Sequence, residues 1–266
     1  MALSLPPIGL GTSNNDDPEE CAATVADALE MGYRHVDTAQ TYGNEAAVGD
    51  GIERADVPRE ECVIATKIAP DKLDGTDVYE SARQSRNRLG GSIDLLYVHW
   101  PTKSYSPTDT LSAFDQLRKG DVTRHVGVSN FTPALLEEAR GTLESPIAAH
   151  QVECHPLLQQ RELREDAREH DYTLVAYCPI MRGEVADVPE IREIADRRGV
   201  TPAQVSLAWL AGLENVVAIP KATGERHLRE NLAAADLKLG EEERERIEGI
   251  EPSRERRLID PEDAPW

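Results

Sequence analysis

Four titratable side chains of different chemistry stand where short apolar runs end: Asp37, Tyr42, Lys67 and His99. Asp37 falls at the end of a run from Tyr33 to Thr38, and Tyr42 lies in the loop just beyond it. Lys67 closes the run that starts at Cys62, and His99 closes the run that starts at Leu95. A carboxylate, a phenol, an ammonium and an imidazole together can hold and move protons. Singly, each has a plain structural explanation. Asp37 could cap a helix, Tyr42 could pack under a loop, Lys67 could be solvated and His99 could fill core space. Their shared position sets them apart. In a barrel of parallel strands the C-terminal strand ends open onto one face, where active sites are built.

The elements that must position them follow from the pattern of the chain. Short apolar strands are predicted at Gly9–Gly11, Tyr33–Thr38, Cys62–Lys67, Leu95–His99, Val126–Ser129, Ala148–Glu153, Leu174–Cys178 and Val216–Pro220. Helical stretches lie between them. Asp17-Pro18 offers an N-cap followed by proline at the first helical position, Asn44 offers a cap for Glu45–Arg54, and Thr201-Pro202 starts a helix through Leu210. Gly32 and Gly90 follow helical segments, where glycine is favoured. Repeated strand–helix units imply an α/β fold with a parallel sheet, and eight of them point to a closed (β/α)8 TIM barrel. An open doubly wound sheet is the alternative. No linker or low-complexity segment interrupts the 266 residues, so one domain over 1–266 is expected. The Glu241–Arg246 run reads as a solvated helix face. The tail Asp260–Trp266 could be disordered or fold over the barrel mouth.

Composition narrows the partners. There are 49 Asp and Glu against 29 Lys and Arg, a net charge of −20, which repels phosphate backbones, so no nucleic-acid partner is expected. Lysine occurs only at 67, 72, 103, 119, 221 and 238. Few lysines, many acidic residues and few bulky apolar ones resemble proteins of halophilic archaea, whose salt screens such self-repulsion. The four cysteines, Cys21, Cys62, Cys154 and Cys178, follow no metal or C-x-x-C spacing and read as buried free thiols. No signal peptide or membrane span is visible, which gives the expectation of a cytoplasmic monomer.

Several motifs fail. Gly9-Leu10-Gly11 is followed by Asn14 where the dinucleotide fingerprint needs glycine. Gly127–Phe131 resembles a nucleophile elbow until its fifth position. No phosphate-binding G-K-[ST] occurs. His35-x-Asp37, with His99, His150 and His155, keeps a metal-dependent hydrolase as a distant alternative.

The local contexts are more specific. The stretch GYRHVDTAQTYGNE from Gly32 to Glu45 resembles the signature of the aldo-keto reductase family. Ala65–Lys67, Leu96–Pro101, Gly127–Phe131, Gln151–Pro156 and Ile219–Lys221 resemble its further motifs, in order, over nearly the whole chain. The short loops resemble the prokaryotic branch that includes diketogluconate reductases. The resemblance implies reduction of aldehydes or ketones (small aldehydes, α-ketoaldehydes or keto sugars) with NADP(H). In it Tyr42 is the general acid, Lys67 lowers its pKa, Asp37 holds Lys67, and His99 orients the substrate oxygen. Ser129, Asn130 and Gln151 match positions that bind the nicotinamide carboxamide, and Tyr177 matches the ring that stacks on the nicotinamide. Lys221, Thr223, Arg226, His227, Glu230 and Asn231 match the adenosine end, and Trp100 a pocket wall. Three positions depart from the pattern: Ala222 for serine, His227 for arginine, and Ser13 for tryptophan. The first two leave NAD(H) open, and the third widens the pocket. A nicotinamide-binding sensor with little turnover is the second functional reading, against which the intact set of four stands.

Overall fold

A strand covered by helices on one side and lining a barrel interior on the other is buried on both faces, which favours continuous runs of branched apolar residues. The computed structural model describes residues 3–266. There the apolar runs form β1 (Leu10–Gly11), β2 (His35–Asp37), β3 (Val63–Ile68), β4 (Ile93–Val98), β5 (Thr123–Ser129), β6 (Ile147–Glu153), β7 (Thr173–Tyr177) and β8 (Val216–Ala218). Each strand pairs in parallel with the next in chain order. The sheet then closes on itself. The Gly9 amide donates to the Ala218 carbonyl (2.8 Å) and the Gly11 amide to the Pro220 carbonyl (3.1 Å). The fold is a (β/α)8 barrel, and closure excludes the open sheet.

The helices are α1 (Pro18–Met31), α2 (Glu45–Arg54), α3 (Gly75–Arg88), α4 (Pro107–Lys119), α5 (Pro133–Thr142), α6 (Arg161–Glu169), α7 (Pro189–Arg198), α8 (Pro202–Ala211), α9 (Glu225–Ala233) and α10 (Glu241–Glu248). Asp17 caps α1 by accepting the Glu20 amide at 2.9 Å, and Gly32 ends that helix at φ 113°. Thr201 and Gln204 form a capping box on α8. Asn44 precedes α2 but does not cap it. Its Oδ1, the atom that could accept a helix amide, accepts from the Thr38 hydroxyl instead (2.8 Å), while its NH2 donates to the buried carbonyls of Thr12 (2.8 Å) and Asn15 (3.2 Å). The charged Glu241–Arg246 run is an exposed helix face as expected, except at one position. Glu243 turns inward, 8% exposed, and accepts from Arg198, which holds its carboxyl down at about 2.

Side chains alternate along each strand with period two. On β3 and β4, Ile64, Ile68, Leu96 and Val98 join the apolar layer that also holds the helix side chains. Ala65, Leu95 and Tyr97, with Ala149, Val175 and Ile219, form a separate cluster inside the barrel. Lys67 is two residues beyond Ala65, so it points inward as well. Gly127 on β5 makes room for this filling: a Cβ there would stand 2.6 Å from the Tyr97 ring. Among the described residues, no helix is long and apolar enough to cross a membrane.

Candidate active site

Parallel register brings residues distant in sequence to one level. Gly11 pairs with Asp37, Asp37 with Ala65, Lys67 with Tyr97, and Ser129 with Gln151. Above the apolar filling, the inward positions become polar. Lys67 is fully buried. Its ammonium donates to the Asp37 carboxylate and to the Thr38 carbonyl (2.7 Å). The other Asp37 oxygen accepts from the Gln151 side-chain amide at 2.7 Å. From there a chain of hydrogen bonds crosses the mouth. Ser129 donates to the Gln151 carbonyl (2.9 Å), Asn130 donates to Ser129 Oγ (3.0 Å) and to the His99 carbonyl (3.0 Å), and Tyr177 donates to Asn130 Oδ1 (2.9 Å).

Tyr42 sits on a short 3-10 turn, Gln40–Tyr42, which Gly43 closes at φ 69°. Gln40 fastens that turn: its carbonyl oxygen accepts the Ala69 amide (2.9 Å) and its amide donates to Ser85 Oγ (2.8 Å). The Lys67 ammonium lies 5.1 Å from the centre of the Tyr42 ring, and the His99 ring stands edge-on to it at 6.0 Å. Thr41 Oγ1 is 3.3 Å from His99 Nδ1.

The electrostatics follow from burial and this one cation. Burial raises the Tyr42 pKa, and Lys67 opposes it without overcoming it, so the net direction is upward. The expected lowering by Lys67 is thus present as a contribution but reversed in the sum, because desolvating a phenolate costs more than one ammonium returns. Burial also disfavours the Lys67 charge, but Asp37 and Tyr42 together hold its pKa above the ordinary value. Burial, and then Lys67, push the His99 pKa well down. At neutral pH the site therefore holds a protonated phenol, an ammonium–carboxylate pair and a neutral imidazole.

One cavity of about 900 Å³ opens above these groups, a volume suited to a small-molecule site. Asp37, Tyr42, His99 and Trp100 line one part of it. Ser129, Asn130, Gln151 and Tyr177 also line it, as do Lys221, Arg226, His227, Glu230 and Asn231. Of the residues singled out from the sequence, Lys67 lies beneath the wall and Thr223 outside it. Arg226 is paired with Glu230 at 2.7 Å. Ser13 is on the wall, where its small side chain leaves room. Among the described residues, no group of three or more His, Cys, Asp and Glu is placed to hold a metal ion.

Sequence reasoning missed Arg182, Cys178 and Ile259, which also line the cavity. Arg182 and Cys178 follow β7 in the left-handed region, at φ 55° and 50°. Their neighbour Gly183 is the only local sign of such a turn. Ile259 comes from the C-terminal tail, which folds over the mouth, with the Trp266 ring 5.5 Å from that of Trp100.

Comparison with known proteins agrees with this geometry. A model of the aldo/keto reductase family matches residues 7–252. The methylglyoxal reductase DkgB of Salmonella typhi is 37% identical over 264 residues, 98% of this chain and 97% of that protein. A solved structure assigned to 2,5-diketo-D-gluconic acid reductase B superposes with a TM-score of 0.92 at 34% identity, covering 98% of this chain and 92% of the other. An aldo-keto reductase of Bombyx mori, solved in complex with NADP, superposes with a TM-score of 0.88 at 26% identity, covering 97% and 92%. A closed barrel, a buried Asp–Lys pair under a tyrosine and a family match over most of the length lead to one conclusion: the chain is an oxidoreductase belonging to the aldo/keto reductase family.

Proposed function

We propose that this protein, working as one barrel domain, reduces small aldehydes and α-ketoaldehydes or keto sugars to alcohols with NADP(H), and that Tyr42 is the proton donor. The observation that carries the reading is the buried Lys67–Asp37 pair beside a phenol that opens into a large cavity. Members of the family use NAD(P)H. The residues present fit such a dinucleotide. The cavity is mostly apolar, is lined by the polar side chains of Ser129, Asn130 and Gln151, and carries exposed cations at Lys221 and Arg182. When bound, the cofactor supplies the hydride. Ser129, Asn130 and Gln151 would hold the carboxamide and Tyr177 the ring. Lys221 would meet a 2′-phosphate, while Arg226 is drawn toward Glu230, which leaves NAD(H) as the second candidate.

The chain's own residues then do the proton chemistry. The neutral His99 ring donates a hydrogen bond to the carbonyl oxygen and orients it toward Tyr42. The phenol gives its proton to that oxygen as negative charge develops there. Lys67 stabilises the phenolate left behind, and Asp37 keeps Lys67 charged and in place. A positioned acid of this kind contributes about 10²–10⁴-fold. The test compares wild type with Tyr42→Phe for NADPH and NADH oxidation with methylglyoxal and an aldehyde panel. Turnover should fall by about that factor with cofactor affinity kept. A phenylalanine variant that turns over like wild type would sink the assignment of Tyr42. Cofactor binding with no turnover of any carbonyl by wild type would favour a sensor.

A further inference from the structure

Glu153, the last residue of β6, is a fully buried carboxylate. A buried charge persists only where donors satisfy it. No lysine or arginine pairs with Glu153 among the described residues. Its donors are His155 Nε2 (2.9 Å) and two backbone amides more than a hundred residues downstream, Leu258 (2.7 Å) and Ile259 (2.9 Å). The two amides take different carboxylate oxygens, so the group grips the chain in a fork. This is the deepest attachment of the C-terminal strap. Beside it the Leu258 side chain packs against the apolar core, and the remaining attachments are peripheral: the Arg256–Glu184 and Arg254–Glu190 ion pairs, the Arg256 amide on the Leu157 carbonyl, and the Trp266 ring near Arg257 and Trp100. Exposed ion pairs contribute little. The residue held by the fork, Ile259, is the one strap residue on the wall of the cavity, which it shares with Trp100 and Tyr42.

We propose that Glu153 is a positioning residue that clasps the C-terminal strap, and through Ile259 sets how closely small carbonyl substrates fit at the catalytic end. The part about substrate rests on the reductase reading. The part about the clasp does not. Glu153 touches none of the four groups assigned to the chemistry, so its removal should act on substrate fit rather than on the chemical step.

The experiment uses the full chain, Glu153→Gln, and a chain truncated after Arg257. Hydrogen exchange is followed at Leu258 and Ile259, together with steady-state reduction of methylglyoxal and of benzaldehyde and fluorescence titration with NADPH. Glutamine offers one acceptor oxygen for the two amides, so exchange at 258 and 259 should quicken about tenfold or more. Loss of an isoleucine from the pocket wall is worth about tenfold. The KM for methylglyoxal should rise by about that factor in both variants, with kcat within about twofold, NADPH affinity unchanged, and a smaller change for the bulkier benzaldehyde. Unchanged exchange in Glu153→Gln would overturn the clasp. A fall in kcat with KM unchanged, or a truncated chain with wild-type KM, would overturn the link to substrate fit. If Glu153→Gln does not fold, the truncated chain still decides that link. If wild type reduces no carbonyl, the reductase reading fails, and the exchange data still decide the clasp.

Discussion

Replacing Lys67 by methionine removes the only ammonium within reach of the Tyr42 ring and leaves the Asp37 carboxylate buried, with the Gln151 amide as its remaining side-chain donor. Breaking a buried ion pair by deleting one partner costs about 3–5 kcal/mol, because the survivor is an uncompensated charge. For a chain of this size each kcal/mol moves Tm by roughly 2–4 °C, so Lys67→Met should melt about 10 °C lower. Asp37→Asn should melt lower for the converse reason, leaving a buried ammonium with the Thr38 carbonyl as its partner. The informative variant is the double one. Two neutral side chains of similar volume carry no charge to strand, and such replacements are often neutral in stability. Asp37→Asn/Lys67→Met should therefore recover most of the lost Tm in calorimetry. Turnover should stay down by about 10²–10⁴-fold, since nothing then stabilises the phenolate. A double variant as unstable as the singles would show that the pair is needed for folding as such. A double variant with near-wild-type kcat would refute the role assigned to Lys67.

Gly127→Ala places a methyl 2.6 Å from the Tyr97 ring and 3.0 Å from the Ala149 carbonyl. Overpacking of this sort should cost about 1–3 kcal/mol in urea denaturation, and an unchanged midpoint would mean the barrel interior is looser than described. His35 and His150 are buried, and burial lowers their pKa values to about 4 and about 3. Below the ordinary value of about 6.5 the unfolded chain binds protons that the folded chain refuses. Stability should then be full above that pH and fall as pH drops toward 4, with a shallower fall in His35→Leu if the assignment is right. Self-repulsion of a chain with net charge −20 should make Tm rise with KCl from about 0.1 to about 1 M, where the Debye length shrinks from about 10 to about 3 Å. A flat Tm would remove the argument for a high-salt setting.

What could be read from the sequence was the part governed by short-range rules. The strands were visible because short apolar runs such as Leu95–Val98 recur between helical stretches, and Asp37, Lys67 and His99 stood out as the polar residues at their ends. Asp17 and Thr201 announced their helices because nothing competes for those side chains. Asn44 misled because its acceptor oxygen can take a helix amide or the Thr38 hydroxyl, and only tertiary structure decides. The net direction of the Tyr42 shift was not legible for a related reason. A neighbouring ammonium can be inferred from motif order, but the depth of burial that outweighs it cannot. The tail stayed undecided because what fastens it is the distant Glu153 carboxylate on the two amides just before it and the Trp266 ring against Trp100, which leave no periodicity in Asp260–Trp266.

The Asp37–Lys67 pair is held by more of the barrel than its two strands. Asp37 comes from β2 and Lys67 from β3, while Gln151, which takes the second Asp37 oxygen, comes from β6. Gln151 is joined through its carbonyl to Ser129 on β5, and Asn130 just beyond that strand links His99 to Tyr177 on β7. Each of these groups is tied to a neighbour from another strand, so none can swing without stranding a buried partner. The geometry around Tyr42 is therefore fixed by the closed barrel rather than by the 3-10 turn alone. In the proposed reaction, preorganisation of this kind would keep Lys67 ready for a developing phenolate without reorganisation. It also explains why the double replacement is expected to separate the two roles. Gln151, Ser129 and Asn130 remain to hold the mouth together when the charges are gone, and what disappears is the field at the phenol.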